Sequence, residues 1–265
     1  MVSPRAAVAF FGLFGKRNPV EKHAGRAADK RAQAPDRWES IQALGQVIAK
    51  GRPAKDKPPP DADAVRWAGE AIQALFPRFG FYVDPSITDQ EEKEEVARLL
   101  IGAGDLALGP VTAQLRRGEL LGWALKILEG IAPADRVVAE LLEILATMDT
   151  EYERDPIRKV TVLQALEERR DPRVAPAVER FLEDVHEPAR YHAVGALFAQ
   201  PDGEAVRGAL TRQIAREESV RVRARLLEGF AERSWEVGAG FVEAGRAKQL
   251  PPGFALDKSG VPRKR

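Results

Sequence analysis

From Asp61 onward, apolar residues recur at helical spacing in segments of about 12 to 16 residues, with turns carrying Asp, Glu, Pro or Gly between them. One apolar stripe per segment predicts amphipathic helices, taken alternately as A and B. The pattern predicts helical pairs over about 62–103, 105–131, 134–168, 173–199 and 203–233, with Arg37–Lys50 as half a pair before them. The last two pairs align. Val174, Val178 and Leu182 match Val206, Leu210 and Ile214 at an offset of 32, while Arg190, Val194 and Leu197 match Arg223, Leu227 and Phe230 at 33. Pro110 and Pro176, each in an A segment, are 66 apart, twice that period.

A two-helix unit with a stripe on each helix cannot bury both by itself, so neighbouring units stack and share a continuous core. The expected fold is therefore all-α, an α-solenoid of about five helical hairpins with atypical capping ends. Three regions follow: a basic tail and capping helix over 1–35, the solenoid over 36–234 with a Pro/Lys-rich insertion at 51–61, and a C-terminal cap with a basic tail over 235–265. The motif Asn18-Pro19-Val20-Glu21 predicts a helix start for a segment 18–34, whose Lys22, Arg26 and Lys30 would form one stripe. Thr88-Asp89-Gln90-Glu91 reads as a capping box opening a B helix. The segment Phe254–Val261 reads as a small hairpin or a turn.

Pro110 and Pro176 in the A helices, and an acidic turn followed by Ala/Val-Arg at the start of the B helix (Glu187-Pro188-Ala189-Arg190 and Glu217-Glu218-Ser219-Val220-Arg221-Val222-Arg223), resemble HEAT repeats of the short type also found in phycobilin lyases. The resemblance covers about 100–233 well and 36–100 loosely. The chain also resembles a bacterial family of HEAT-repeat-domain proteins, through stretches such as Phe81–Lys93 and Met148–Asp155. The resemblance implies a fold and no particular activity. It implies structural roles for Pro110, Pro176, Arg190 and Arg223, the arginines bonding acidic turn residues and crossing to the next unit.

Composition narrows the chemistry. There is no cysteine among 265 residues, which excludes disulfides, thiolate catalysis and Cys-containing metal sites. The net charge of +1 is unevenly divided. Residues 1–60 carry 12 Lys/Arg against 5 Asp/Glu and residues 246–265 carry 6 against 1, which leaves −11 for 61–245. A body that acidic does not suit a phosphate backbone, so no nucleic-acid partner is expected for it. A basic or mixed-charge protein or peptide suits it better.

The stretch Ala6–Phe14 is apolar and too short to span a bilayer. Its readings are a loose tail or helix cap, an interfacial anchor of Phe10, Phe11, Leu13 and Phe14 over residues 6–17, or a secretory signal. A cytoplasmic protein is expected.

No nucleophile elbow, P-loop or dinucleotide fingerprint is present. His186 and His192 are six apart, a spacing that does not build a metal site on one helix face. Asp149, Glu151, Glu153 and Asp155 alternate, but an EF-hand loop would need Gly at Arg154 and Glu at Val160. Turn and helix-start chemistry at Asp155-Pro156 is the simpler reading. No catalytic residue, metal or cofactor is assigned. The expected activity is non-enzymatic, a scaffold or adaptor holding a peptide or protein on the concave face lined by B helices. Candidate contact residues are Phe81, Tyr82, Trp123, Tyr152, Tyr191, His192 and Arg225. The alternative is an enzyme on the same scaffold, lyase-like or DNA-glycosylase-like, or a peripheral membrane adaptor acting through the N-terminal Phe cluster.

Overall fold

A computed structural model describes residues 17–53, 55, 58–245, 247 and 250–265. The apolar segment 6–14 and its anchor reading lie outside the described residues, as does part of the insertion 51–61. The described chain is all-α apart from one terminal hairpin. Its helices are α1 (Glu21–Ala27), α2 (Ala34–Gly51), α3 (Ala62–Leu75), α4 (Ser86–Ala103), α5 (Asp105–Arg117), α6 (Leu121–Ile131) and α7 (Ala134–Ala146). There follow α8 (Ile157–Glu167), α9 (Val174–Val178), α10 (Glu187–Phe198), α11 (Gly203–Arg216), α12 (Val220–Arg233) and α13 (Ala239–Glu243). Strands β1 (Phe254–Leu256) and β2 (Pro262–Lys264) pair antiparallel, with Ala255 opposite Arg263. Helices α3 and α9 each run on into a 3-10 turn, Phe76–Gly80 and Glu179–Glu183.

Local signals explain several boundaries. Asp61, Asp202 and Ser219 cap α3, α11 and α12 by accepting from the amides of Ala64, Ala205 and Val222. Two expected starts are corrected. α1 is confined to 21–27 and has no side-chain cap, because Asn18 accepts from the Val20 amide at 2.9 Å and the Asp29 carboxylate takes the Arg31 amide in a turn. Lys30 therefore lies beyond the helix, and no three-residue basic stripe forms on it. α4 begins at Ser86, so Thr88–Glu91 sits inside the helix rather than at its cap. Asp89 is buried there and receives Arg78, Lys93 and the Val83 amide instead.

The chain forms two compact units, one of residues up to Ala113 with Lys126–Ile131, the other of Gln114–Leu125 with Ala132–Arg265. In the first, α2 packs on α1, α3 and α4. Ile41, Leu44, Ile72, Leu75, Val96 and Leu100 are fully or almost fully buried, each worth about 1.5–3 kcal/mol of transfer free energy. Gly51 is needed where α2 meets α3, since a Cβ there would strike the Ala64 carbonyl and the Ala68 side chain. At the centre lies a buried ion cluster. Arg37 holds Glu92 through Nε and Nη2 at 2.7 and 2.9 Å, and Arg78 reaches Glu92 at 2.6 Å and Asp89 at 2.9 Å.

In the second unit the B helices form a row, α8 against α10 and α10 against α12. The A elements lie beside one another in the same order, α7 with α9 and the following 3-10 turn with α11. Pro176 sits within the short α9, and Pro110 inside α5. Val162, Leu163, Phe181, Val194, Leu210, Leu226 and Phe230 are buried. After α12, Ser234 adopts the left-handed conformation, and Trp235 then packs on Phe198 and Phe230 with centroids 6.3 and 5.5 Å away. α13 lies on α11, and β2 lies on α12.

Candidate functional site

The row α8, α10, α12 gathers three of the candidate residues. Glu167 near the end of α8 accepts from His192 Nδ1 on α10 at 3.0 Å, and it also pairs with the Arg225 guanidinium of α12. Arg225 Nη1 donates to the Tyr191 carbonyl at 3.0 Å. The Tyr191 ring has both Arg225 and Arg221 against it, at 4.1 and 3.8 Å from the ring centroid. Arg221 also donates to Glu187 at 3.1 Å. Guanidinium–ring contacts of this kind are worth about 0.5–2 kcal/mol, more when desolvated. Burial pushes the Glu167 carboxyl up, but the bonds from His192 and Arg225 outweigh it and hold the carboxyl below its ordinary value. Tyr191, His192 and Arg225 all remain half-buried. Gly195 makes the approach possible, because a Cβ there would land on the Arg225 guanidinium and the Glu167 carboxylate.

The first turns of the same helices carry exposed apolar side chains: Ile157 opens α8, Val185 precedes α10 and Val220 opens α12, exposed by 69, 53 and 54%. Tyr152, exposed by 77%, lies on the preceding turn with its ring 5.5 Å from that of His186. His186 Nε2 accepts from the Glu153 amide at 3.1 Å, and Val185 donates to the Thr150 carbonyl at 3.1 Å, so the two turns are tied together. His186 thus serves the turn. Pro156 caps α8 while Asp155 accepts from the Ile157 amide, which is helix-start chemistry.

Behind this edge runs a second set of contacts. Lys159 of α8 donates to Asp184 at 2.9 Å, and Arg190 of α10 grips Glu217 through Nε and Nη2 at 2.9 and 3.0 Å. Each carboxylate belongs to the A–B turn of the following pair, and each also accepts from the amide two residues on, His186 and Ser219 respectively. Asp184 and Glu217 are 33 residues apart and almost fully buried. Lys159 also lies 2.9 Å from Glu153. Burial drives the Glu217 carboxyl up, and the Arg190 fork with the Ser219 amide outweighs it, leaving the group below its ordinary value. Burial lowers Lys159, and its bonds to Asp184 and Glu153 more than reverse that. A cleft of about 360 Å3 opens beside this rung between Glu183, Asp184, Arg190, Gln213 and Glu217.

Arg190 thus meets the turn residue Glu217 and Arg221 meets Glu187, whereas Arg223 has no such bond. Its Nε and Nη1 are buried without a hydrogen bond, and the residue is 6% exposed. Among the described residues no carboxylate is hydrogen-bonded to it at Nε or Nη1.

Phe81 and Tyr82 belong to the first unit, where Phe81 packs under Arg78 with the guanidinium 4.6 Å from the ring centroid. Tyr82 is 49% exposed, and bonding to Asp84 pushes its hydroxyl up. Trp123 is half-buried on α6. The residues missed from sequence are Arg37, Arg78 and Glu92, which no motif or spacing sets apart. Asp184 was missed too, though its spacing from Glu217 was a usable signal. A cavity of about 540 Å3 in the first unit has Ile48, Leu99, Arg52 and Arg98 in its lining. Both arginines are engaged, Arg52 with the Gly102 carbonyl and Arg98 with Glu95.

Among the described residues no group of three His, Asp or Glu is placed to hold a metal, and no helix is long and apolar enough to cross a membrane. The chain matches no family model, no curated protein and no solved structure.

Proposed function

We propose that the second unit is a short α-solenoid of HEAT-like repeats that binds a protein segment along the α8–α10–α12 row, without catalysing a reaction. The observation that carries this reading is the cross-linking of Glu167, His192, Arg225 and Tyr191 across three successive B helices. Side chains held by one another present a rigid surface, so a partner does not have to order them on binding. Tyr and Arg at the centre of such a face are the residue types that dominate binding energy at protein interfaces. The exposed Tyr152, Ile157, Val185 and Val220 add apolar contact at the edge. The charge of −11 over residues 61–245 favours a basic or mixed-charge segment.

The test is peptide display on the purified chain, followed by solution affinity of the selected peptides at two salt concentrations. Selected sequences enriched in Lys/Arg with an apolar residue, binding at least tenfold more weakly to Tyr191→Ala, are expected. Equal binding to wild type and Tyr191→Ala, or failure to select any sequence, would sink the reading.

A further inference from the structure

The rungs Lys159–Asp184 and Arg190–Glu217 follow one rule: a cation near the start of a B helix holds the carboxylate in the next A–B turn. Arg223 stands 33 residues after Arg190, on the first turns of α12, and its rung is empty. Thirty-three residues beyond Glu217 stands Leu250, and the chain has no Asp or Glu between Glu243 and Asp257. In place of another helical pair, the five-residue α13 lies on α11 and strand β2 lies on α12. Arg190 also donates through Nη1 to the Asp184 carbonyl at 2.8 Å, whereas Nη1 of Arg223 has no such acceptor. A guanidinium taken out of water without a counter-ion is strongly destabilising, so a group that supplies one binds with that penalty relieved.

We propose that Arg223 is a binding site for a carboxylate supplied from outside the chain, in the position that Glu217 occupies one rung earlier. The planar fork of arginine matches the two oxygens of a carboxylate, as the Arg190–Glu217 pair does in the same setting. Nε and Nη1 have no hydrogen-bond partner, so a carboxylate that reaches them breaks no bond made by those two atoms. The proposal depends on the rungs and not on the Tyr191 face, and the two fail separately.

The experiment is thermal unfolding of the full chain, titrated with sodium acetate, with a blocked tri-glutamate peptide and with sodium phosphate, against sodium chloride at equal ionic strength. A saturable rise in Tm for wild type that is absent from Arg223→Met and Arg223→Gln supports the site. If acetate produces it, a free carboxylate suffices; if the peptide alone does, the ligand is an acidic protein segment. Without ligand, Arg223→Met is expected to melt above wild type. No rise beyond chloride, an equal rise in the Arg223 variants, or a rise as large with phosphate as with either carboxylate would overturn the proposal.

Discussion

The two units bury charge in opposite ways. In the first, Arg37 from α2, Arg78 from the 3-10 turn and Lys93 from α4 converge on Asp89 and Glu92, so a single knot ties three elements. In the second, Lys159, Arg190 and Arg223 lie one to a helix, and each pair joins only neighbours. The surplus of positive charge is handled differently as well. In the knot the spare donors find backbone oxygens, Arg37 at Ala32 and Arg78 at Phe81. At the end of the row Arg223 finds none for Nε and Nη1. A knot is complete within itself, whereas each rung of the row depends on a carboxylate from the turn that follows its helix.

If the knot acts as one unit, the largest effect in the molecule should come from Glu92. Replacing it by Leu leaves Arg37 and Arg78 without their shared acceptor, a loss of about 3–5 kcal/mol. Denaturant unfolding of Glu92→Leu measures it, and a loss below about 1 kcal/mol would show that the knot does not hold the first unit together.

The row should lose less at each rung. Glu217→Gln keeps the shape but removes the charge that Arg190 grips, a loss of about 2–3 kcal/mol. The sign with pH follows from the lowered carboxyl. Its contribution is fully present above the ordinary value of 4.5 and disappears as pH falls through the lower folded value. Wild type should therefore lose stability below about pH 4.5 more steeply than Glu217→Gln. Parallel acid limbs in the two proteins would show that the rung contributes nothing. Lys159 behaves oppositely: with its value raised above 10.5, its contribution is lost only in strong alkali.

Smaller again is the effect of filling the space at Gly195. An alanine there must push aside Arg225 and Glu167, a loss of about 1–2 kcal/mol, and it separates α10 from α12 without touching the rungs. Peptide affinity should fall with it if the cross-links hold the face in shape.

The sequence made the helices and the row legible, and the knot illegible, for one physical reason. Apolar stripes and the offsets of 32 and 33 are periodic, so Val174, Leu210 and Phe230 announce themselves. Tyr191, His192 and Arg225 stood in the sequence only as three of seven separate candidates, and it is the packing of α8, α10 and α12 that brings them together. Glu92 is one acid in the run Glu91-Glu92-Lys93-Glu94-Glu95, and its burial depends on Arg37, 55 residues away, with no pattern to mark the pair. The short α1 and the early start of α4 were misread because capping motifs compete with other bonds. Asn18 and Asp29 satisfy turn amides, and Asp89 is drawn inward by Arg78.

The smallest expected effect addresses the difference between knot and row most directly. If the row ends one carboxylate short, placing an acid where repetition would have put it should complete the third rung. Leu250 stands 33 residues after Glu217 and is half-buried, so Leu250→Glu gives up little apolar burial. If position 250 stands to Arg223 as Glu217 stands to Arg190, the new charge-assisted bond is worth about 1 kcal/mol net of the lost Leu contacts. The gain must vanish in Arg223→Met, where the same acid has no cation to meet, and the double-mutant cycle isolates that coupling from any other effect of the new charge. Coupling of zero would mean that the cap does not follow the repeat beyond α12. Coupling near 1 kcal/mol would make Arg223 a rung like the two before it, complete in every respect except for a partner within the chain.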